Sequence, residues 1–280
     1  MSEPLLQGQV WVSPRHLAGS TADGDAGMKP LLDLGWPMQH DELGNLYLTS
    51  PERSTVRLGY MPEGDDDALW RIAAYDDPFA APRWAVAFNN MAPTEYVTAF
   101  TTALATAYQR GPDAYLTGTT QPSHRALEPL RDGGWQHTAQ ARLARVELSA
   151  PDGMAHLAYD RRPLDHQQEL TTLETRWYLW GGPAPAAGWY ITLSSHTPLH
   201  LVTAVTAAVA DPSPVLRWDG ELLRITRKHA TITPVTPPAP TPLDIHRRST
   251  SPGASGSIPR WSTSSRPAPP PASGPPSRRR

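Results

Sequence analysis

The sequence predicts an α+β fold of two tandem α-β-β-β-β-α units, each an antiparallel four-stranded meander with helices on one face, followed by a disordered C-terminal tail. Three observations carry this expectation: the chain repeats itself at an offset near 99 residues, each copy contains period-two strands bounded by turn residues, and the text turns Pro/Ser/Arg-rich from about residue 232. The expected boundaries are 10–108 for the first repeat, 109–231 for the second with an extra hairpin, and 232–280 for the tail.

The repeat begins where His16-Leu17-Ala18-Gly19 falls on Tyr115-Leu116-Thr117-Gly118, and continues where Lys29-Pro30-Leu31-Leu32-Asp33-Leu34-Gly35-Trp36 falls on Glu128-Pro129-Leu130-Arg131-Asp132-Gly133-Gly134-Trp135. In both copies a short helix ends at a Gly-Trp pair, where glycine supplies the left-handed position and tryptophan turns back onto the core. A hairpin follows. Leu46-Tyr47-Leu48 and Val56-Arg57-Leu58-Gly59-Tyr60 flank Ser50-Pro51-Glu52-Arg53, and the second copy has the same turn as Ala150-Pro151-Asp152-Gly153.

Two further strands are read over Trp70–Tyr75 and Trp84–Phe88, whose aromatic-rich alternation suits half-buried sheet. At an offset of 105, Pro78, Trp84, Val86 and Phe88 match Pro183, Trp189, Ile191 and Leu193, which sets Gly181-Gly182 opposite Asp76-Asp77. Each unit closes with an amphipathic helix, carried in the first copy by Tyr96, Val97, Phe100, Leu104 and Ala107. In the second, Thr197 is the expected N-cap with Pro198 at the first helical position. Val215–Trp218 and Leu222–Ile225 around Asp219-Gly220 read as a hairpin added to the second sheet. From Thr233 onward the chain holds 13 of its 32 prolines, a composition too poor in apolar residues to offset the entropy of ordering.

Composition narrows the function. Cysteine is absent, which removes disulfides, thiolate nucleophiles and Cys-ligated zinc. Neither the N-terminal residues Met1–Val12 nor the longest apolar stretch, Leu201–Ala210, reads as an export signal or a membrane span, so a soluble cytoplasmic protein is expected. Lysine occurs only at Lys29 and Lys228 while arginine, alanine and proline are plentiful, the bias of a GC-rich genome. The net charge of −2 hides a split, because residues 232–280 hold seven arginines against Asp244 and the remainder is acidic. An acidic body argues against nucleic-acid binding, beyond non-specific contact through Arg247-Arg248 and Arg278-Arg279-Arg280.

These residues resemble an uncharacterised actinobacterial family, common in Streptomyces, of tandem domains of unknown function. The resemblance is carried by Ser13-Pro14-Arg15-His16-Leu17-Ala18-Gly19, Gly35-Trp36, Gly44-Asn45-Leu46-Tyr47-Leu48-Thr49-Ser50-Pro51 and Arg57-Leu58-Gly59-Tyr60-Met61-Pro62-Glu63-Gly64. It extends through Trp70, Asp77-Pro78-Phe79 and Trp84 to Thr236-Pro237-Pro238-Ala239-Pro240-Thr241-Pro242-Leu243-Asp244, and so covers roughly 10–245. It implies a shared fold and brings no activity with it. Past Ser249 the chain departs from the family pattern.

Catalytic motifs are missing: there is no G-x-S-x-G, no P-loop and no HExxH, and no cofactor is implied. His196 and His200 have the spacing of two zinc ligands on a helix, but Pro198 between them marks a helix start and no metal site is assigned. The acidic runs Asp23-Gly24-Asp25 and Asp65-Asp66-Asp67 read as polar loops. The cluster singled out for binding is Trp70, Tyr75, Asp76, Asp77, Phe79 and Trp84, where aromatics flank paired carboxylates across a Pro-containing loop. The expected function is a non-catalytic module for a protein partner. The alternative is a hydrolase or transferase using Asp76 and Asp77.

Overall fold

A computed structural model describes residues 8–21, 24–51, 54–64, 66–117, 122–138, 144–171, 174–182 and 188–235. Residues up to Val235 form one compact unit. The tail from residue 236, with the Pro-rich stretch of the family pattern and the terminal arginines, lies outside the described residues, as do Asp23 and Asp65.

In chain order the first copy contributes β1 (Gln9–Ser13), α1 (Asp25–Leu32), β2 (Met38–His40), β3 (Leu46–Thr49), β4 (Val56–Tyr60), β5 (Trp70–Ala74), β6 (Trp84–Phe88) and α2 (Thr94–Arg110). The second contributes α3 (Glu128–Asp132), β7 (Gln136–His137), β8 (Arg145–Ser149), β9 (Ala155–Asp160), α4 (His166–Thr171), β10 (Trp177–Gly181), β11 (Trp189–Leu193) and α5 (Leu199–Ala210). β12 (Val215–Trp218), α6 (Arg224–His229) and β13 (Thr231–Pro234) follow. The repeated meander expected from the sequence is present in both copies, with a short fifth strand, β2 or β7, added at each outer edge.

The two meanders form one antiparallel ten-stranded sheet, ordered β2-β3-β4-β5-β6-β11-β10-β9-β8-β7. The seam is β6 against β11, where Val86, Ala87 and Phe88 face Leu193, Thr192 and Ile191. Side chains alternate across the sheet. Trp84, Val86 and Phe88, with Trp189, Ile191 and Leu193, point to the helical side, where Phe100 of α2 meets Trp84 and Phe88 edge-on at 6.0 Å and Tyr96 meets Trp189 at 5.4 Å.

Both Gly-Trp stops behave as expected. Gly35 and Gly134 adopt φ of 75° and 79°, and the Trp36 and Trp135 amides reach back to the carbonyls of Leu31 and Leu130. Both indoles are buried, and Trp36 meets Tyr108 edge-on at 5.1 Å. The start of α5 falls one residue later than expected: Pro198 is the N-cap, and the Thr197 hydroxyl contacts Ser194 Oγ instead of an amide of the helix.

Two expectations about the C-terminal part are corrected. The hairpin assigned to the second sheet does not form, because Asp219–Glu221 is a 3-10 turn and Arg224 begins a helix. β12 pairs instead with β1 in a separate three-stranded sheet, ordered β12-β1-β13. The expected tail boundary at 232 also cuts this sheet, since Ile232, Thr233 and Pro234 pair with Val12, Trp11 and Val10, and the Val235 amide donates to the Gln9 carbonyl. Proline is tolerated there because β13 is an edge strand.

The small sheet is fastened to both repeats. Arg217 binds Glu95 at the start of α2 through two 2.7 Å contacts and donates to the Gly19 carbonyl. Trp189 donates to the His16 carbonyl at 2.7 Å, and the His16 ring lies 2.7 Å from Asp152 in the second copy's hairpin turn.

Candidate functional site

The face of the large sheet opposite the helices carries the most distinctive chemistry. Its residues are the alternate set of the same strands: Arg57, Arg71, Ala73, Ala85 and Ala87 from the first copy, and His156, Tyr178, Trp180, Tyr190 and Thr192 from the second, with Arg71 exposed and the others half-buried. Cross-strand pairing sets Tyr190, Trp180 and His156 in one row, with Tyr178 in the next. Their rings stack, His156 on Trp180 at 5.1 Å, Trp180 on Tyr178 at 5.1 Å and Tyr178 on Tyr190 at 6.1 Å.

The polar tips of this row are held in place. Tyr190 donates its hydroxyl to Asp67 at 2.5 Å, so one member of the acidic run braces an aromatic of the other repeat. Burial and that carboxylate both raise the Tyr190 phenol, and burial followed by Asp67 raises that of Tyr178. Asp66 pairs with Arg71. His156 accepts or donates a 2.8 Å contact with Ser149, and burial lowers its imidazole below the ordinary value, which favours the neutral ring against Trp180.

Register identifies equivalent positions in the two copies. Ala74 opposes Trp84 as Gly181 opposes Trp189, so Ala73 corresponds to Trp180, Arg71 to Tyr178 and Ala85 to Tyr190. At two of these positions the first half therefore has alanine where the second bears Trp180 and Tyr190, while Arg71 stands at the position of Tyr178. The same register revises the sequence alignment: Gly181 is the counterpart of Ala74, and Asp76 and Asp77 lie in a loop two residues longer than its counterpart, much of which falls in the undescribed segment 183–187.

The cluster expected from sequence is not brought together. Trp70 and Trp84 point to the helical side and are fully buried, Trp70 beside Tyr60 and Trp84 donating to the Tyr115 carbonyl at 2.9 Å. Trp70 starts β5, whereas Tyr75 follows its end, about 16 Å along the strand. Tyr75 lies under the Arg57 guanidinium at 4.6 Å. Asp76 pairs with Arg83 at 3.1 Å and Asp77 accepts from the Phe79 amide at 2.9 Å, both on an exposed loop, while the Phe79 ring is 97% exposed. The two carboxylates hold separate local partners.

His196 and His200 also part company. The His196 ring packs edge-on against His166 of α4 at 5.2 Å, and its imidazole is lowered by burial and by that neighbour. His200, on α5, is lowered by burial and by Arg110. Among the described residues no group of three or more His, Asp or Glu side chains is placed to hold a metal ion, and no helix is long and apolar enough to cross a membrane.

The aromatic row lies in the second copy, whereas the cluster expected from sequence lies in the first. A signal for it existed: Trp177-Tyr178-Leu179-Trp180 places aromatics at adjacent positions, and period two sends neighbours to opposite faces, so one must leave the core.

A mixed sheet-and-helix protein built by tandem duplication is thus defined by the fold. Two of its segments, 49–109 and 149–215, match the SPDY family, described as a domain of unknown function (DUF317), and they fall on the two repeats. No curated protein and no solved structure matches the chain.

Proposed function

We propose that the chain is a non-catalytic interaction module, working in the cytoplasm of an actinobacterium, which uses the helix-free face of its ten-stranded sheet to dock a protein partner. One observation carries the reading: the half-buried Ala73, Ala85 and Ala87 of the first repeat lie beside the braced aromatic row of the second. An antiparallel sheet can leave one face to water, and that face is then ordinarily polar. Here the central strands present Ala73, Ala85 and Ala87 beside Trp180, Tyr178 and Tyr190, a composition suited to covering.

The test compares tagged wild type with Ala87→Arg in pull-downs from the native host. Ala87 sits at the seam and packs no core, so the variant keeps its melting temperature within about 2 °C, as expected for a surface change. Loss of a wild-type partner from the variant supports the reading. Identical partners in both overturn it.

A further inference from the structure

We infer that the chain is a twofold dimer joined into one polypeptide. The surface that each repeat buries at the seam is a dimer interface whose partner is another repeat, and the peptide link between the copies is not what holds them together.

The seam returns its own contacts. Ala87 of β6 faces Thr192 of β11, and these are equivalent residues of the two copies. To one side of that pair the Asn89 amide donates to the Tyr190 carbonyl at 3.2 Å, and to the other the Ser194 amide donates to the Ala85 carbonyl at 3.0 Å. Asn89 is the counterpart of Ser194 and Tyr190 that of Ala85, so each bond is the other with the copies exchanged. The side chains obey the same rule. The Tyr190 amide donates to Asn89 Oδ1 at 3.0 Å, and the Ala85 amide donates to Ser194 Oγ at 3.0 Å.

The exchange continues away from the strands. Trp84 of the first copy donates its indole N–H at 2.9 Å to the carbonyl of Tyr115, in the leading turn Asp113–Thr117 of the second. Trp189 of the second donates at 2.7 Å to the carbonyl of His16, in the leading turn Arg15–Leu17 of the first. His16 and Tyr115 are the residues that the sequence repeat superposes. Both side chains are buried, and each then reaches the loop between the same two strands of the opposite copy. Tyr115 Oη lies 3.1 Å from Thr55 Oγ1, between β3 and β4, and His16 Nε2 lies 2.7 Å from Asp152 Oδ2, between β8 and β9. Each copy therefore lays its leading segment on the indole and hairpin of the other.

An interface in which one residue meets a second, and the counterpart of the second meets the counterpart of the first, is what a closed homodimer forms. Two domains merely linked in tandem have no reason to return their contacts in this way. The apolar core is also continuous across the seam, because Trp84, Val86 and Phe88 belong to one buried cluster with Trp189, Ile191 and Leu193. Interfaces that resemble a core cut in half are those of obligate partners.

The test inserts a recognition site for a sequence-specific protease between the exposed Pro112 and Asp113 of the full chain, where the second copy begins, cleaves it and follows the mass by sedimentation equilibrium. The expected result is that the two pieces sediment together, with the mass of the uncut chain, at about 1 μM. Asn89→Ala and Ser194→Ala each strand one backbone amide at the seam, and each weakens association of the cut pieces ~10-fold, the two effects agreeing within about threefold because the positions are equivalent. The small sheet also spans the cut, so a third variant removes its contribution: Val12→Asp puts a charge into the separate apolar cluster of that sheet, and the cut pieces still sediment together. Separation of the wild-type pieces at about 1 μM overturns the inference, whether or not they stay folded. Separation in Val12→Asp alone assigns the joint to the small sheet and overturns it too, as does an association that ignores both seam variants.

Discussion

Replacing Gly181 with alanine should destabilise the body far more than a single methyl ordinarily does. A Cβ built at Gly181 falls 2.2 Å from Nε1, 2.4 Å from Cε2 and 2.6 Å from Cζ2 of Trp189, so the indole must move. That ring is buried against Tyr96 and donates to the His16 carbonyl, which ties the N-terminal segment to the second repeat. Overpacking of this kind costs about 1–3 kcal/mol, and stranding the buried carbonyl adds about 1–3 kcal/mol. Alanine returns about 0.5–1 kcal/mol through lower unfolded-state entropy. The net loss is about 1–5 kcal/mol, or roughly 2–20 °C of melting temperature for a body of this size. The first copy supplies the control, since its equivalent Ala74 already carries the methyl beside Trp84 and Ala74→Gly should cost only ~0.5–1 kcal/mol. Urea unfolding followed by far-UV circular dichroism measures both. Gly181→Ala at wild-type stability would refute the reasoning, because it would mean that the Trp189 ring is not held where the strand has no room for a side chain.

Trp36→Ala and Trp135→Ala should each lose ~3–5 kcal/mol in urea unfolding, as buried Trp truncations do, and losses below about 1 kcal/mol at both would remove them from the core. Truncation after Ile232 should melt several degrees below truncation after Val235, because only the shorter chain loses the pairing of Thr233 and Pro234 with β1. Equal melting temperatures would show that β13 contributes nothing beyond Ile232.

The repeated unit was legible because its signals are local. A Gly-Trp stop, a proline turn and period-two strands each depend on a few neighbouring residues, and they recur at one offset, so the meanders of both copies could be read strand by strand. The small sheet was not legible. β1 pairs with β12 and β13 across more than 190 residues, and nothing in Gln9–Ser13 distinguishes a strand that joins the C-terminal segment from one that starts the first sheet. The candidate site failed for a different reason. Trp70 and Trp84 alternate in phase with Ile72 and Val86, so their burial was already written in the period of their strands, whereas Tyr75 and the Asp76-Asp77 loop lie beyond the end of β5. Proximity in sequence along these strands is not proximity of side chains. The aromatic row is formed the opposite way, by residues 156, 178, 180 and 190 that come together only through register.

The seam also changes what a repeat is in this protein. Within a single copy β6 is an edge, and its Trp84, Val86 and Phe88 give it an apolar inner side with unpaired backbone groups beside it, an arrangement that invites pairing with any other strand. The second copy closes that edge with β11, the strand equivalent to β6 itself, and the Ala85 amide and carbonyl are met by the Ser194 hydroxyl and amide. The outer edges are instead short strands of three and two residues, too brief to template further pairing. The duplication therefore builds one sheet with its vulnerable edges turned inward, and neither half has a complete backbone without the other. Because the halves are locked in this way, substitutions on the helix-free face are released from edge protection and core packing alike, and it is there that the copies differ most in side-chain size, with alanine at 73 and 85 and aromatics at 180 and 190.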